Sequence, residues 1–241
     1  MPMPEVVQPL YAKLRDEIRA EILDGHLVAG DQLPSENELS AAHGVSRITV
    51  RQALGDLQKA GLIVRRQGKG AFVTLPHASQ RLERLEGLTE ALAGSGQLVH
   101  SKRLVLKLVR ATREVAGELD VPTGTRVTQL VSLRYLERMP LSVNTSHFVP
   151  ALGERIARID LSGRDLIEVL ERDLQQPVLE ARLDIRAVAM PTREARWLKV
   201  EAGVPALRVH RRVLGEVGAP LQTETAIYPG DRFNYQLTLG R

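Results

Sequence analysis

Apolar residues spaced four apart open the sequence. Leu10, Leu14, Ile18 and Ile22 fall on one stripe of a 3.6-residue repeat, so the spacing predicts an amphipathic first helix that Gly25 can stop. A shorter second helix is marked by its ends: Ser35 and Glu38 form an S-x-x-E capping box after Pro34, and Gly44 supplies a left-handed closing residue. Ser46 caps a third helix, in which Val50, Ala53, Leu54 and Leu57 share the inward face while Ile48, Arg51, Gln52 and Gly55 point away. The period then falls toward two. "LIVRR" and "AFVT" read as short strands around "QGKG", where Gly68 and Gly70 permit a tight hairpin with Lys69 at its tip.

Past this module, Pro76 and the small residues around it predict a linker over 76–84, while Leu82, Leu85, Leu88 and Leu92 recur at helical spacing. Alternating segments near 100–111, 126–137, 140–149, 178–190, 205–215 and 219–229 predict strands. Helical stretches near 113–119, 152–158, 165–173 and 192–199 separate them. The expected fold class is α+β, with a winged helix-turn-helix over 1–75 and a mixed, largely antiparallel sheet domain over 85–241.

Composition narrows the chemistry. With no cysteine in 241 residues, neither a thiolate nucleophile nor a cysteine-held metal is available, and a reducing compartment, the cytoplasm, is the expectation. The first residues lack the apolar core of a signal peptide and no run of about eighteen apolar residues occurs, so no membrane partner is expected. The net charge of +4 matters only once it is localised: between 43 and 75 stand Arg47, Arg51, Lys59, Arg65, Arg66 and Lys69 against Asp56 alone. Such a patch suits a polyanion. A helix opening Ser46-Arg47-Ile48-Thr49 adds free N–H groups, hydroxyls and a guanidinium at its positive end, a combination that receives phosphate.

Residues 10–73 resemble the DNA-binding domain of GntR-family bacterial transcription regulators, through "LPSENELS", "VSRITVRQAL" and "GKGAFV" at family spacing. The resemblance implies contacts to a double-stranded DNA operator from Arg47, Thr49 and Arg51 and from Gly68, Lys69 and Gly70 of the wing. Ser35, Asn37, Ser46 and Gln52 complete the expected DNA-facing set. Asn37 stands where family members often carry Arg, so that position contributes less charge.

Residues 85–238 resemble the effector-binding domain of the HutC-like branch, which shares the chorismate-lyase fold. The landmarks are "REVAGELDVPTGTRVTQLVSLRYLERMPLSVNTSHFVP", "DLSGRDLIEVLERDL" and "APLQTETAIYPGDRFNYQL". By that resemblance Thr89, Ser132, Arg134, Asn144, Asp165, Gln222, Glu224 and Tyr228 approach a small-molecule effector, with His147 beside the pocket. Relatives usually have Arg at position 132 and Ser or Thr at 165. A lost cation and an added anion make a phosphosugar a poor fit and leave a carboxylate or an amine as the expected effector. Plainer roles stay open: Asp165 as a helix cap, Arg134 paired with a strand neighbour, Tyr228 as a core-edge aromatic.

An enzyme reading finds no G-x-S-x-G elbow and no phosphate-binding G-x-x-x-x-G-K-[ST] loop, and the six histidines lack chelating spacing. No catalytic residue, metal or cofactor is expected. The expected function is a homodimeric, ligand-responsive repressor released from a near-palindromic operator when a metabolite binds the C-terminal domain. The alternatives are an enzyme using a winged helix for protein contacts, or a DNA binder with a vestigial pocket.

Overall fold

The computed structural model describes residues 8–74 and 76–240. Contacts group them into two units, one of residues up to 76 with 94–97 and one of 77–93 with 98 onward.

In the first unit α1 (Leu10–Leu23), α2 (Glu36–His43) and α3 (Arg47–Lys59) precede an antiparallel hairpin of β1 (Ile63–Arg66) and β2 (Gly70–Val73). Leu14, Ile18, Leu39, Val50, Ala53, Leu54, Leu57, Leu62 and Ile63 form one buried cluster, so the stripes read from the sequence close on each other. Leu10, the first residue of its stripe, is exposed. The capping box at Ser35 and Glu38 is formed from both sides, and Gly44 ends α2 at φ 64°.

The second unit is built on a six-stranded sheet, every neighbouring pair antiparallel. Its strands are β4 (Val99–Arg110), β5 (Arg126–Leu136), β6 (Met139–Phe148), β7 (Glu180–Ala189), β8 (Pro205–Leu214) and β9 (Pro220–Pro229), in the order β4-β5-β6-β9-β8-β7. The expected strands are all present, with ends shifted by a residue or two, and α5 (Arg113–Glu118) joins β4 to β5. One face carries Leu130, Phe148, Val213 and Leu221 under α6 (Pro150–Ile156) and α7 (Leu166–Glu168), which runs on as a π-helical turn over Val169–Asp173. The other carries Val131, Leu133, Val143 and Ile227 against α8 (Thr192–Leu198).

The expected linker needs correction. Ala78–Arg81 form β3, paired in parallel with β10 (Phe233–Gln236), and the helix drawn through Leu82 and Leu85 reduces to α4 (Leu88–Leu92). Ala78 is fully buried and Leu82 donates its N–H to Gln236. The pairing partner comes from the far end of the chain, so no local pattern announces it; small residues after a proline suit a strand under an aromatic residue as well as a linker.

Candidate DNA-reading face and effector cavity

On α3, Arg47, Arg51 and Gln52 are exposed and Thr49 is half-buried, as the 100° step requires. Two of the expected contacts also cap helices, Ser46 at α3 and Ser35 at α2. Ser46 Oγ accepts the Thr49 N–H at 3.2 Å and lies 2.8 Å from Thr49 Oγ1, while Ser35 Oγ accepts the Glu38 N–H. Their hydroxyls serve first as caps. Asn37 is exposed on α2.

An acid that the local charge count missed lies on this face. Glu36, from the first turn of α2, accepts a 2.7 Å hydrogen bond from Arg51 Nε and a further one from Arg65. The bond from Arg51 is the main reason the Glu36 carboxyl sits below its usual range. Arg51 is thereby aimed while its guanidinium stays largely exposed. At the hairpin tip Gly68 and Gly70 have φ 72° and 102°, and Gln32 Nε2 donates to the Lys69 carbonyl at 2.8 Å, so a residue before α2 steadies the tip. The Lys69 side chain is left exposed.

In the sheet unit, strand parity sorts the expected effector residues. Ser132, Arg134, Asn144, Gln222, Glu224 and Tyr228 share the α6–α7 face, whereas His147 lies on the opposite one. His147 is half-buried beside Gln129, and burial pushes its imidazole pKa down, toward the neutral form. Its expected place beside the pocket is corrected accordingly.

A cavity of about 470 Å³ opens on the first face, lined by Ser132, Arg134 and Glu224 from the expected set, and by Arg103, Arg158 and Asp160 among others. The extra residue Leu104 in β4 marks a bulge there, and Arg103 lies opposite Ser132. Beneath it runs a buried polar layer. Glu224 receives 2.7 Å and 2.8 Å bonds from Arg211 Nη2 and Ser146 Oγ, Gln222 donates to Ser146, and Ser142 donates to Asn144. Asn144 and Gln222 belong to this layer rather than to the cavity wall. Tyr228 stacks on Phe233 with ring centroids 4.0 Å apart, which is the core role left open for it.

Asp165 stands at the N-terminal boundary of α7 but does not cap it. Its Oδ2 accepts the backbone N–H groups of Thr89 (2.9 Å) and Glu90 (3.2 Å), and its Oδ1 lies 3.4 Å from Arg134 Nη2, both side chains being nearly buried. Thr89 and Asp165 therefore border a neighbouring cavity of about 390 Å³, with Arg134 and Asp165 meeting between the two.

Comparison with known families decides what these two units are. Residues 10–73 match the model for bacterial regulatory proteins of the gntR family, and residues 94–234 match the UTRA domain. The chain belongs to the GntR family. It is a DNA-binding transcription regulator of the HutC-like, UTRA-bearing kind, and the family is not one of enzymes. It is 28% identical to the HTH-type transcriptional repressor NagR of Bacillus subtilis, over 94% of this chain and 93% of that one. It is also 28% identical to the histidine utilization repressor of Pseudomonas aeruginosa, over 95% and 90%. The crystal structure of PhnF from Mycobacterium smegmatis superposes with a TM-score of 0.67 at 26% identity, covering 94% of this chain and 99% of that one.

Among the described residues no helix is long and apolar enough to cross a membrane, and no cluster of acids and histidines could hold a metal. Sequence reasoning passed over Glu36, Gln32, Arg211, Arg103 and Arg158. Only Glu36 carried a local signal, lying inside the capping-box motif itself.

Proposed function

We propose that this GntR-family protein is a cytoplasmic, homodimeric repressor. It binds a near-palindromic operator through α3 and the wing, and leaves it when a carboxylate-bearing metabolite enters the cavity beside Arg134. The observation that carries the DNA-contact assignment is the outward row of Arg47, Arg51 and Gln52 beside an exposed Lys69. The relatives named as repressors support the sign of regulation.

The effector class follows from which cations are already engaged. Arg164 is tied to Glu168 and Asp173, Arg134 faces Asp165, and Arg211 neutralises Glu224. Arg103 and Arg158 remain exposed, with Asp160 beside them as another lining residue. Two guanidiniums balanced by a carboxylate suit a monoanion, and Glu224 offers an acceptor for its hydroxyl or ammonium group. A phosphosugar dianion would have to draw Arg134 away from Asp165.

Titration of operator complexes with short carboxylates, amines and phosphosugars, read by fluorescence anisotropy, tests this. Carboxylates should release wild type, while Arg103→Ala should bind operator normally and release poorly. Release by phosphosugars at micromolar concentration would overturn the effector class. Normal release from Arg103→Ala would overturn the site. Moving the complex from 99% bound to 99% free requires about 10⁴-fold preference of the effector for the unbound state, roughly 5.5 kcal/mol.

A further inference from the structure

The outward face of α3 has a centre line that the expected DNA contacts leave out. Val50, Ala53, Leu54 and Leu57 are buried on the inner face, so by the helical step of about 100° the direction straight away from the core falls at Ile48. Seven residues on and about 20° around the axis it falls again at Gly55. Arg51 and Gln52 flank that line on either side. Ile48 is 77% exposed and takes no part in the core of the first unit. One exposed isoleucine on a surface says little by itself. This one stands in the first turn of α3 among the exposed Arg47, Arg51 and Gln52, at the point furthest from the core, where a merely solvated face would carry a polar side chain.

Gly55 is equally out of place on a free surface. It lies inside α3, where glycine weakens a helix relative to alanine, and its backbone is ordinary helix, open to any residue. A Cβ built on it would meet nothing within 4 Å. Neither backbone freedom nor space inside the chain therefore calls for glycine at this position. A surface from outside that approaches the helix backbone closely does.

We propose that Ile48 is a specificity-determining residue: its side chain seats on the 5-methyl group of a thymine in the major groove, and Gly55 lets α3 lie close enough for it to reach. This rests on the reading of α3 as the DNA-contacting helix and adds a base to it. Thymine alone shows an apolar group on its major-groove edge. Isoleucine neither donates nor accepts a hydrogen bond, so pressed against the amino group of cytosine or adenine, or the acceptors of guanine, it would leave those groups without partners. Attraction to the methyl group and the cost of every other edge point to the same base. Thr49, the other uncharged side chain of the first turn, is half-buried, with its hydroxyl 2.8 Å from Ser46 Oγ. The apolar contact therefore falls to Ile48. Docking is supplied by its charged neighbours, Arg47 beside it and Arg51, which Glu36 holds at 2.7 Å.

The test starts from a site that full-length wild type selects out of duplexes with a randomised core. That site is resynthesised with each thymine in turn replaced by deoxyuridine, which lacks only the 5-methyl group, and binding is read by fluorescence anisotropy. At one thymine position the replacement should weaken wild type about fourfold, the transfer value of one buried methyl group. Ile48→Ala, a change at an exposed position that leaves the fold intact, should bind the thymine duplex more weakly by a similar factor and be indifferent to deoxyuridine there. Gly55→Leu should unfold no earlier than wild type on heating, yet lose about tenfold or more in affinity for the selected site. If Arg51→Ala loses affinity but no thymine is coupled to Ile48, or the selected site holds no thymine, the assignment of Ile48 falls and the reading of α3 stands. Normal binding by Gly55→Leu would place the centre line of α3 clear of DNA and overturn the seating of Ile48. Unchanged affinity in Arg51→Ala, Ile48→Ala and Gly55→Leu together would remove α3 as the reading helix as well.

Discussion

A Cβ placed on Gly87 would lie 2.1 Å from Cγ of Asp165. The glycine therefore clears the space through which the Asp165 carboxylate reaches the N–H groups of Thr89 and Glu90, 76 and 75 residues away in sequence. Gly87 has φ −76° and ψ 163°, a conformation open to any residue, so space rather than backbone freedom requires glycine here.

Gly87→Ala should accordingly destabilise the sheet unit by about 1–3 kcal/mol, the cost of overpacking a buried contact. The same substitution made in an Asp165→Gly background should be close to neutral. Denaturant unfolding of the four proteins in this cycle measures the coupling. Equal costs in both backgrounds would show that Asp165 is not what Gly87 accommodates.

In the proposed operator complex Arg51 reaches DNA from a guanidinium that Glu36 already holds. Arg51→Ala should cost roughly 1–3 kcal/mol of specific binding and leave the fold intact. Glu36→Gln should do something different: with an anion removed from a cationic face, affinity for random duplex should rise and its salt dependence steepen. Discrimination between operator and random duplex should fall, because Arg51 is no longer aimed. Anisotropy titrations across a salt series separate the two variants, and an unchanged discrimination ratio in Glu36→Gln would mean that the pair does not orient Arg51.

The DNA-reading unit was legible because its signals are local. Caps at Ser35 and Ser46, an inward face from Val50 to Leu57 and paired glycines around Lys69 all lie within a few residues of what they shape. The cavity was legible only in part. Strand parity already sets His147 on the face opposite Asn144, three residues earlier, so that misplacement could have been avoided from the sequence. Arg103 opposite Ser132 depends on a bulge at Leu104, and Asp165 capping α4 instead of α7 depends on how two distant segments pack. Neither leaves a periodic trace.

Lys69 stands at the tip of the hairpin with its carbonyl fixed by Gln32 and its side chain in solvent. Lys69→Ala should weaken operator and random duplex alike and reduce the salt slope by about one unit, as loss of a single phosphate contact does. Gln32→Ala keeps the charge but frees the tip, so it should weaken operator binding with the slope unchanged. A loss in Lys69→Ala confined to one base position, found by scanning operator variants, would contradict a phosphate contact.

Glu224 is the carboxylate on which the buried polar layer depends. Burial alone would raise its pKa, but Arg211 foremost, then Arg134 and hydrogen bonds from Ser146 and Asn144, outweigh that and hold it below the ordinary 4.5. A carboxyl depressed in the folded state contributes stability that is fully present above its unfolded value and is lost as pH falls through the folded one. Wild type should therefore lose stability on acidification below about pH 5, and Glu224→Gln should lose less over the same window. At neutral pH the variant should be destabilised by about 3–5 kcal/mol, because Arg211 is left buried without its counter-charge. Adding Arg211→Met should recover much of that cost, since removing both members of a buried pair is far milder than removing one. Chemical denaturation of the three proteins between pH 7 and about pH 3.5 provides the measurement. A Glu224→Gln protein as stable as wild type at pH 7, with the same acid slope, would mean that the Arg211 charge is compensated by some other group.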